Sequence, residues 1–89
     1  MAKVSGPIRV YPEAFTRARI LKGLSQRELA RLTQYSIAYV SQLERGHRNP
    51  SPHAAQQFCL VLDKPFDALF YLVDVNKSKQ EKAEAIHRA

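Results

Sequence analysis

The 89-residue sequence carries one cysteine, one methionine, three glycines and no tryptophan. Cys59 has no partner for an internal disulfide, which argues against a disulfide-stapled secreted scaffold. No glycine-rich phosphate loop is present, and no nucleophile, base and orienting group form a catalytic series. His47, His53, His87 and Cys59 show no metal-ligand spacing, and Cys59 falls on an apolar stripe where a small side chain is expected. No enzyme, no cofactor and no metal are therefore expected. Apolar runs fall short of membrane-spanning length, and the opening MAKVSGPIRV has no apolar core of the signal-peptide kind. A cytoplasmic protein with no membrane partner is expected. No segment alternates convincingly at period two, and neither repeats nor low-complexity blocks occur.

The composition that remains is that of a folded domain with a basic surface. Hydrophobic residues make up 45% and charged residues 25%, ordinary values for one compact domain of this length. Fourteen Lys and Arg against eight Asp and Glu give a formal net charge of +6, the balance of a chain that meets phosphate or another anionic surface. The excess is spread along the chain, so no basic tail accounts for it.

Helical signals follow one another from Pro12. Residues 1–11, punctuated by Gly6 and Pro7, read as an arm. Pro12 suits a first helical position, Glu13 a first turn, and Phe15, Ala18 and Leu21 or Lys22 recur at helical spacing before Gly23 offers a left-handed stop. Ser25 and Glu28 form a capping box, predicting a short helix to about Leu32 with Leu29 and Ala30 inward. Ser36 can cap a third helix, whose Val40 and Leu43 face the core before Gly46 ends it. Asn49, Pro50, Ser51 and Pro52 reset the chain, and Ala55, Phe58, Cys59 and Leu62 lie on one stripe of a fourth helix closed by Asp63, Lys64 and Pro65. Phe66 to Leu72 or Val73 predicts a short apolar fifth helix. The expectation is an all-α, five-helix domain over residues 12–73, followed by a polar tail over residues 74–89. In that tail Lys77 with Glu81, or Glu84 with Arg88, can pair if it is helical.

A short capped helix, a tight turn and a second capped helix make a helix-turn-helix, whose second helix is exposed enough to enter a DNA major groove. With Val40 and Leu43 inward, Ile37, Ala38, Ser41, Gln42 and Arg45 turn outward or to the flanks. Their small, uncharged N-terminal part suits close approach to base edges. Glu44 lies one turn beyond Val40, which puts it at the edge of the core rather than against a polyanion.

The stretch LKGLSQRELARLTQYSIAYVSQLERGHRNPS resembles the lambda-repressor-like (Xre/Cro type) family of bacterial and phage regulators. The shared pattern is Arg19, Gly23 to Gln26, Glu28 to Ala30, Ser36, Glu44 to Gly46 and Asn49 to Ser51, continuing to Phe66 and Leu69. The resemblance covers roughly residues 12–70. It implies a five-helix domain that binds double-stranded DNA, usually as a homodimer on two half-sites. It also implies a partly buried ion pair between Arg19 and Glu44 that ties the first helix to the third.

Each candidate has a plain competing role. Gln26 and Arg27 begin the second helix, where free amides and the helix dipole favour a phosphate; the competing role is a solvated first turn. Ser36, Ile37, Ala38, Ser41 and Gln42 are the base-reading candidates, with Gln42 suited to adenine and Ile37 or Ala38 to thymine methyls. For Ser36 the cap itself is a sufficient role. Tyr39 either donates to a phosphate or packs between helices. Arg45, His47, Arg48 and Asn49 border the Gly46 turn, placed to contact phosphates beside the reading helix. Lys3 and Arg9 are candidates for reaching along the DNA. Gln34 stands where relatives often have the turn glycine. Leu32 and Leu60 occupy usually polar positions. Together with Phe70, Tyr71, Leu72 and Val73 they make an exposed apolar patch, hence a candidate dimer interface or a surface buried under the tail; core packing of the last four is the competing account.

The reading is a DNA-binding transcriptional regulator, more readily a repressor, acting as a homodimer on an inverted repeat. Its rivals are an antitoxin that binds a toxin protein and autoregulates, a control protein of a restriction-modification system, and a protein-interaction module with no working DNA surface.

Overall fold

In the computed structural model, which describes residues 6–73, three helices start where a serine supplies a partner for their free amides, and two start at or just after a proline without a side-chain cap. Helix α1 (Pro12–Leu21) opens on Pro12 with Glu13 in its first turn. Helix α2 (Gln26–Thr33) carries the capping box: the Glu28 N–H donates to the Ser25 hydroxyl at 3.0 Å, and the Ser25 N–H donates to Glu28 Oε1 at 2.9 Å. Ser36 caps α3 (Ile37–Glu44) by accepting from the Tyr39 N–H at 3.0 Å. Ser51 caps α4 (Pro52–Leu62), with Pro52 at its first position, by accepting from the Ala54 N–H at 3.1 Å. Helix α5 (Phe66–Leu69) is a single turn after Pro65.

Four of these helices end in the same way. One residue turns left-handed, and the next donates its N–H to the carbonyl five positions back: Leu24 to Arg19, Tyr35 to Ala30, His47 to Gln42 and Lys64 to Cys59, at 2.8 to 3.2 Å. The left-handed positions are Gly23, Gln34, Gly46 and Asp63. Gln34 adopts φ 66°, so the turn between α2 and α3 keeps the left-handed form despite a side chain that disfavours it. At Gly46 a side chain faces a second obstacle, since a Cβ would stand 3.1 Å from Cγ of Pro12.

The helices enclose one apolar core. Phe15, Leu29, Val40, Leu43, Phe58, Leu62, Leu69 and Phe70 are each fully buried, with Ala18, Ala30, Ala54 and Ala55 filling the spaces between. The Phe15 and Phe58 rings meet edge to face with centroids 5.2 Å apart. Leu21 departs from its expected inward position and is exposed; the stripe of α1 narrows to Phe15 and Ala18.

Two further departures concern the ends of the domain. Residues 8–10 are not a free arm but a strand, β1 (Ile8–Val10), and the predicted fifth helix stops at Leu69, giving way to β2 (Phe70–Leu72). The two pair antiparallel, Ile8 with Leu72, Arg9 with Tyr71 and Val10 with Phe70. Ile8 and Val10 are buried while Arg9 between them is not, a period-two pattern only three residues long. The reason for pairing is burial: Ile8, Val10 and Phe70 close the core beneath Phe15 and satisfy their backbone across the ladder. The chain is thus a five-helix domain with a two-stranded clasp joining its two ends. The tail over residues 74–89, with its expected Lys77–Glu81 and Glu84–Arg88 pairs, and Lys3 lie outside the described residues.

Candidate nucleic-acid interface

Helices α2 and α3 pack on each other, and α3 leans on α1 through Val40 and Leu43. The opposite side of α3 is open. Ile37 is 39% exposed, Ala38 is exposed, and Ser41 and Gln42 are half-buried at its flanks. Exposed Arg45, His47 and Arg48 and half-buried Asn49 follow around the Gly46 turn, while exposed Arg27 stands on the first turn of α2. Ser36 is exposed with its hydroxyl engaged in the cap. The turn at Gln34 sets α2 and α3 against each other, and the Gln26–Glu44 and Gln42–Arg48 bonds bring the start of α2, the end of α3 and the Gly46 turn together. Arg9 does not stand on an arm: its guanidinium turns back onto the carbonyls of Gly6 and Ile8.

Both carboxylates of this region are tied down. Glu44 pairs with Arg19 through Nε, and Nη2 of Arg19 adds a bond at 3.1 Å; the two side chains are 13% and 7% exposed. Arg19 reaches on to the Leu24 carbonyl at 2.8 Å. Gln26 Nε2 donates to the same Glu44 carboxylate at 3.0 Å. Burial works against the Glu44 charge, yet the bonds from Arg19 and Gln26, the Arg19 charge and a bond from Thr16 together hold its carboxyl below the ordinary value. Glu28, on the surface, is held low by the Ser25 N–H and then by the Ser25 hydroxyl. Glu44 is thereby turned inward, whereas Glu28 stays exposed with its charge engaged by the cap of α2. The participation of Gln26, Thr16 and the Leu24 carbonyl carries no mark in the sequence, because each depends on how α1, α2 and α3 meet.

Tyr39 packs between helices. Its ring stacks on Tyr35 at 4.6 Å and lies nearly parallel to the Phe58 ring at 6.1 Å, and burial pushes its hydroxyl pKa up. The Arg48 guanidinium lies over the outer face of Tyr39, 4.8 Å from the ring centroid, and its Nε donates to Oε1 of Gln42 at 3.0 Å. Two residues read separately in the sequence, one for bases and one for phosphates, are therefore in contact.

The candidate dimer residues divide. Phe70 is fully buried and belongs to the core. Tyr71 meets Tyr11 in a tilted contact with centroids 4.8 Å apart yet remains exposed, Leu72 is 64% and Leu60 70% exposed, and Val73 is half-buried. Leu60 and Leu72 border an apolar groove with Pro7, Ile8, Cys59 and Phe66. The Cys59 thiol is half-buried there, its pKa raised by that burial. His47 and His53 are exposed and far from any cluster of ligating groups among the described residues, and His87 lies outside them.

A capped short helix, a tight left-handed turn and a capped, outward-facing second helix inside a five-helix body define a helix-turn-helix protein. The chain belongs to that family, in its lambda-repressor-like (Xre) branch: a helix-turn-helix profile matches residues 16–69, more than half of its length. It is similar to the transcriptional regulator ClgR of Mycobacterium tuberculosis, 28% identical over 65 residues that make up 73% of this chain and 58% of ClgR. The chain thus spans less than two thirds of that relative. Among solved structures, the restriction-modification controller protein C.AhdI of Aeromonas hydrophila superposes with a TM-score of 0.60 at 33% identity, over 64% of this chain and 86% of that one. The clp gene regulator ClgR of Corynebacterium glutamicum does so with a TM-score of 0.60 at 27% identity, over 86% of this chain and 82% of its own. No helix among the described residues is long and apolar enough to cross a membrane.

Proposed function

We propose that this chain is a sequence-specific DNA-binding transcriptional regulator, acting as a repressor, that binds an inverted repeat as a homodimer. Residues 36–45 enter the major groove and address base edges with Ile37, Ala38, Ser41 and Gln42. Gln26 and Arg27 at the start of α2, with Arg45, His47, Arg48 and Asn49 around the Gly46 turn, hold the flanking phosphates. The observation that carries this reading is a charge contrast: Arg27, Arg45 and Arg48 are exposed, while the carboxylate of Glu44 is turned inward onto Arg19 and Gln26. Such a surface attracts a polyanion, its cations outnumbering the one exposed acid, Glu28. The similarity to ClgR and C.AhdI supports the same reading.

The test is selection of bound duplexes from a random pool. An enriched motif with two-fold symmetry and half-sites about one helical turn apart, near 34 Å, is expected. Arg45→Ala should weaken all sequences alike and lower the slope of log affinity against log salt by about one. Enrichment of no duplex, or binding indifferent to salt, sinks the reading. A second reading, control protein of a restriction-modification system, is favoured by the likeness to C.AhdI. It predicts activation as well as repression of a neighbouring promoter in a reporter assay.

A further inference from the structure

We infer that Arg48 is a positioning residue that sets which base Gln42 reads, and that the pair selects guanine over adenine at its place in the DNA site. The inference rests on the DNA-binding reading above. A glutamine free at both amide atoms matches adenine, its carbonyl taking the N6 amino group and its NH2 meeting N7. Gln42 is not free in this way. Its Oε1 accepts from Nε of Arg48 at 3.0 Å, and the contact fixes the sense of the amide, because a guanidinium has donors only and cannot face the NH2 end.

Arg48 is itself anchored from the core outward. Fully buried Phe58 supports Tyr35 and Tyr39, with centroids 5.7 and 6.1 Å away, and Tyr39 supports the guanidinium at 4.8 Å. The backbone closes the same unit, since the His47 N–H donates to the Gln42 carbonyl at 2.8 Å as α3 ends. Residues 42 and 48 are therefore joined by backbone and side chain across one short turn.

With Oε1 held, the atom Gln42 turns outward is Nε2, which carries two donors. The remaining N–H groups of Arg48 stay free for the backbone phosphate and offer no acceptor to a base. Guanine presents O6 and N7, two acceptors, to such a pair. Adenine presents one acceptor and the N6 amino group, which would meet an N–H with nothing to receive it; cytosine presents its N4 amino group and thymine the single acceptor O4. The nearest carboxylate, Glu44, is occupied by Arg19 and Gln26 and cannot serve as the missing acceptor.

Duplex selection with the wild type, Gln42→Ala and Arg48→Lys separates the possibilities. Gln42→Ala should flatten preference at one position per half-site, which identifies the base it reads. At that position the wild type should favour guanine over adenine by about tenfold. Arg48→Lys keeps a positive charge for phosphate and loses the planar Nε donor, so it should level or reverse that preference and leave other positions as they were. Three results overturn the inference while leaving DNA binding intact. One is a wild-type preference for adenine at that position. Another is an Arg48→Lys protein weaker on all sequences by one factor with guanine still preferred. The third is no position that responds to Gln42→Ala. A wild type that enriches nothing removes the DNA-binding reading and the inference together.

Discussion

Two sides of this domain solve the problem of meeting water in opposite ways. The α2 and α3 side exposes Arg27, Arg45, His47 and Arg48 around a patch of small residues, and its Glu44 is bonded inward. The clasp side exposes Leu60, Tyr71 and Leu72 beside an apolar groove. A polar surface exposed to solvent needs no cover, whereas clustered apolar side chains lose free energy until something shields them. The first side thus suits a solvated, charged ligand and the second suits contact with apolar surface, as the proposed DNA-binding dimer requires. Both hang on one core, so a change in the core affects both and a change on either surface should leave the other alone.

Phe58 is the strongest probe of that shared dependence, because it contacts Phe15 and also underlies Tyr35 and Tyr39. Phe58→Ala should cost about 3–5 kcal/mol in urea unfolding, with the DNA-facing and clasp sides lost in one transition. Glu44→Ala comes next: stranding Arg19 should cost about 3 kcal/mol, toward the lower end of the usual range because Arg19 keeps the Leu24 carbonyl. The same carboxyl gives a pH test. Its pKa is held below the ordinary value, so its contribution is fully present above about pH 4.3, the unfolded-state value, and is lost as the pH falls through the folded value. Urea midpoints measured from pH 6 to 3 should drop for the wild type, and Glu44→Gln should drop less over the acid part of that range.

Gln34→Gly should work in the other direction. Relief of the left-handed turn at φ 66° should stabilise the domain by about 1 kcal/mol, with no change in which duplexes are selected. Leu60→Ser should have the smallest effect on stability, within about 0.5 kcal/mol, since the side chain is 70% exposed. If the clasp side is where copies meet, the same substitution should reduce self-association in sedimentation without altering binding of a single half-site. Loss of both properties together would show the two sides to be coupled.

The residues that announced themselves in the sequence did so over short spans. A serine and an acid three residues apart mark the start of α2, and Ser36, Ser51 and Pro52 mark two more starts, because a cap is made by atoms within one turn. The Arg19–Glu44 pair was legible only through family resemblance, 25 positions apart with nothing local to connect them. The clasp was not legible. IRV is too short for alternation to stand out, and FDALFYLV is apolar but for Asp67, a pattern that fits a buried helix or strand equally.

The starts of α1 to α4, the inward stripe of α4, the basic balance and the outward face of α3 thus follow from the order of residues, since each is fixed by caps, spacing and charge within about a dozen positions. The β1 and β2 pairing, the burial of Phe70 and the contacts of Gln26 with Glu44 and Arg48 with Gln42 follow from how the helices pack. A strand finds its partner, and an amide its orientation, only when separate elements are brought within bonding distance, and the core that does this is made by the whole chain at once.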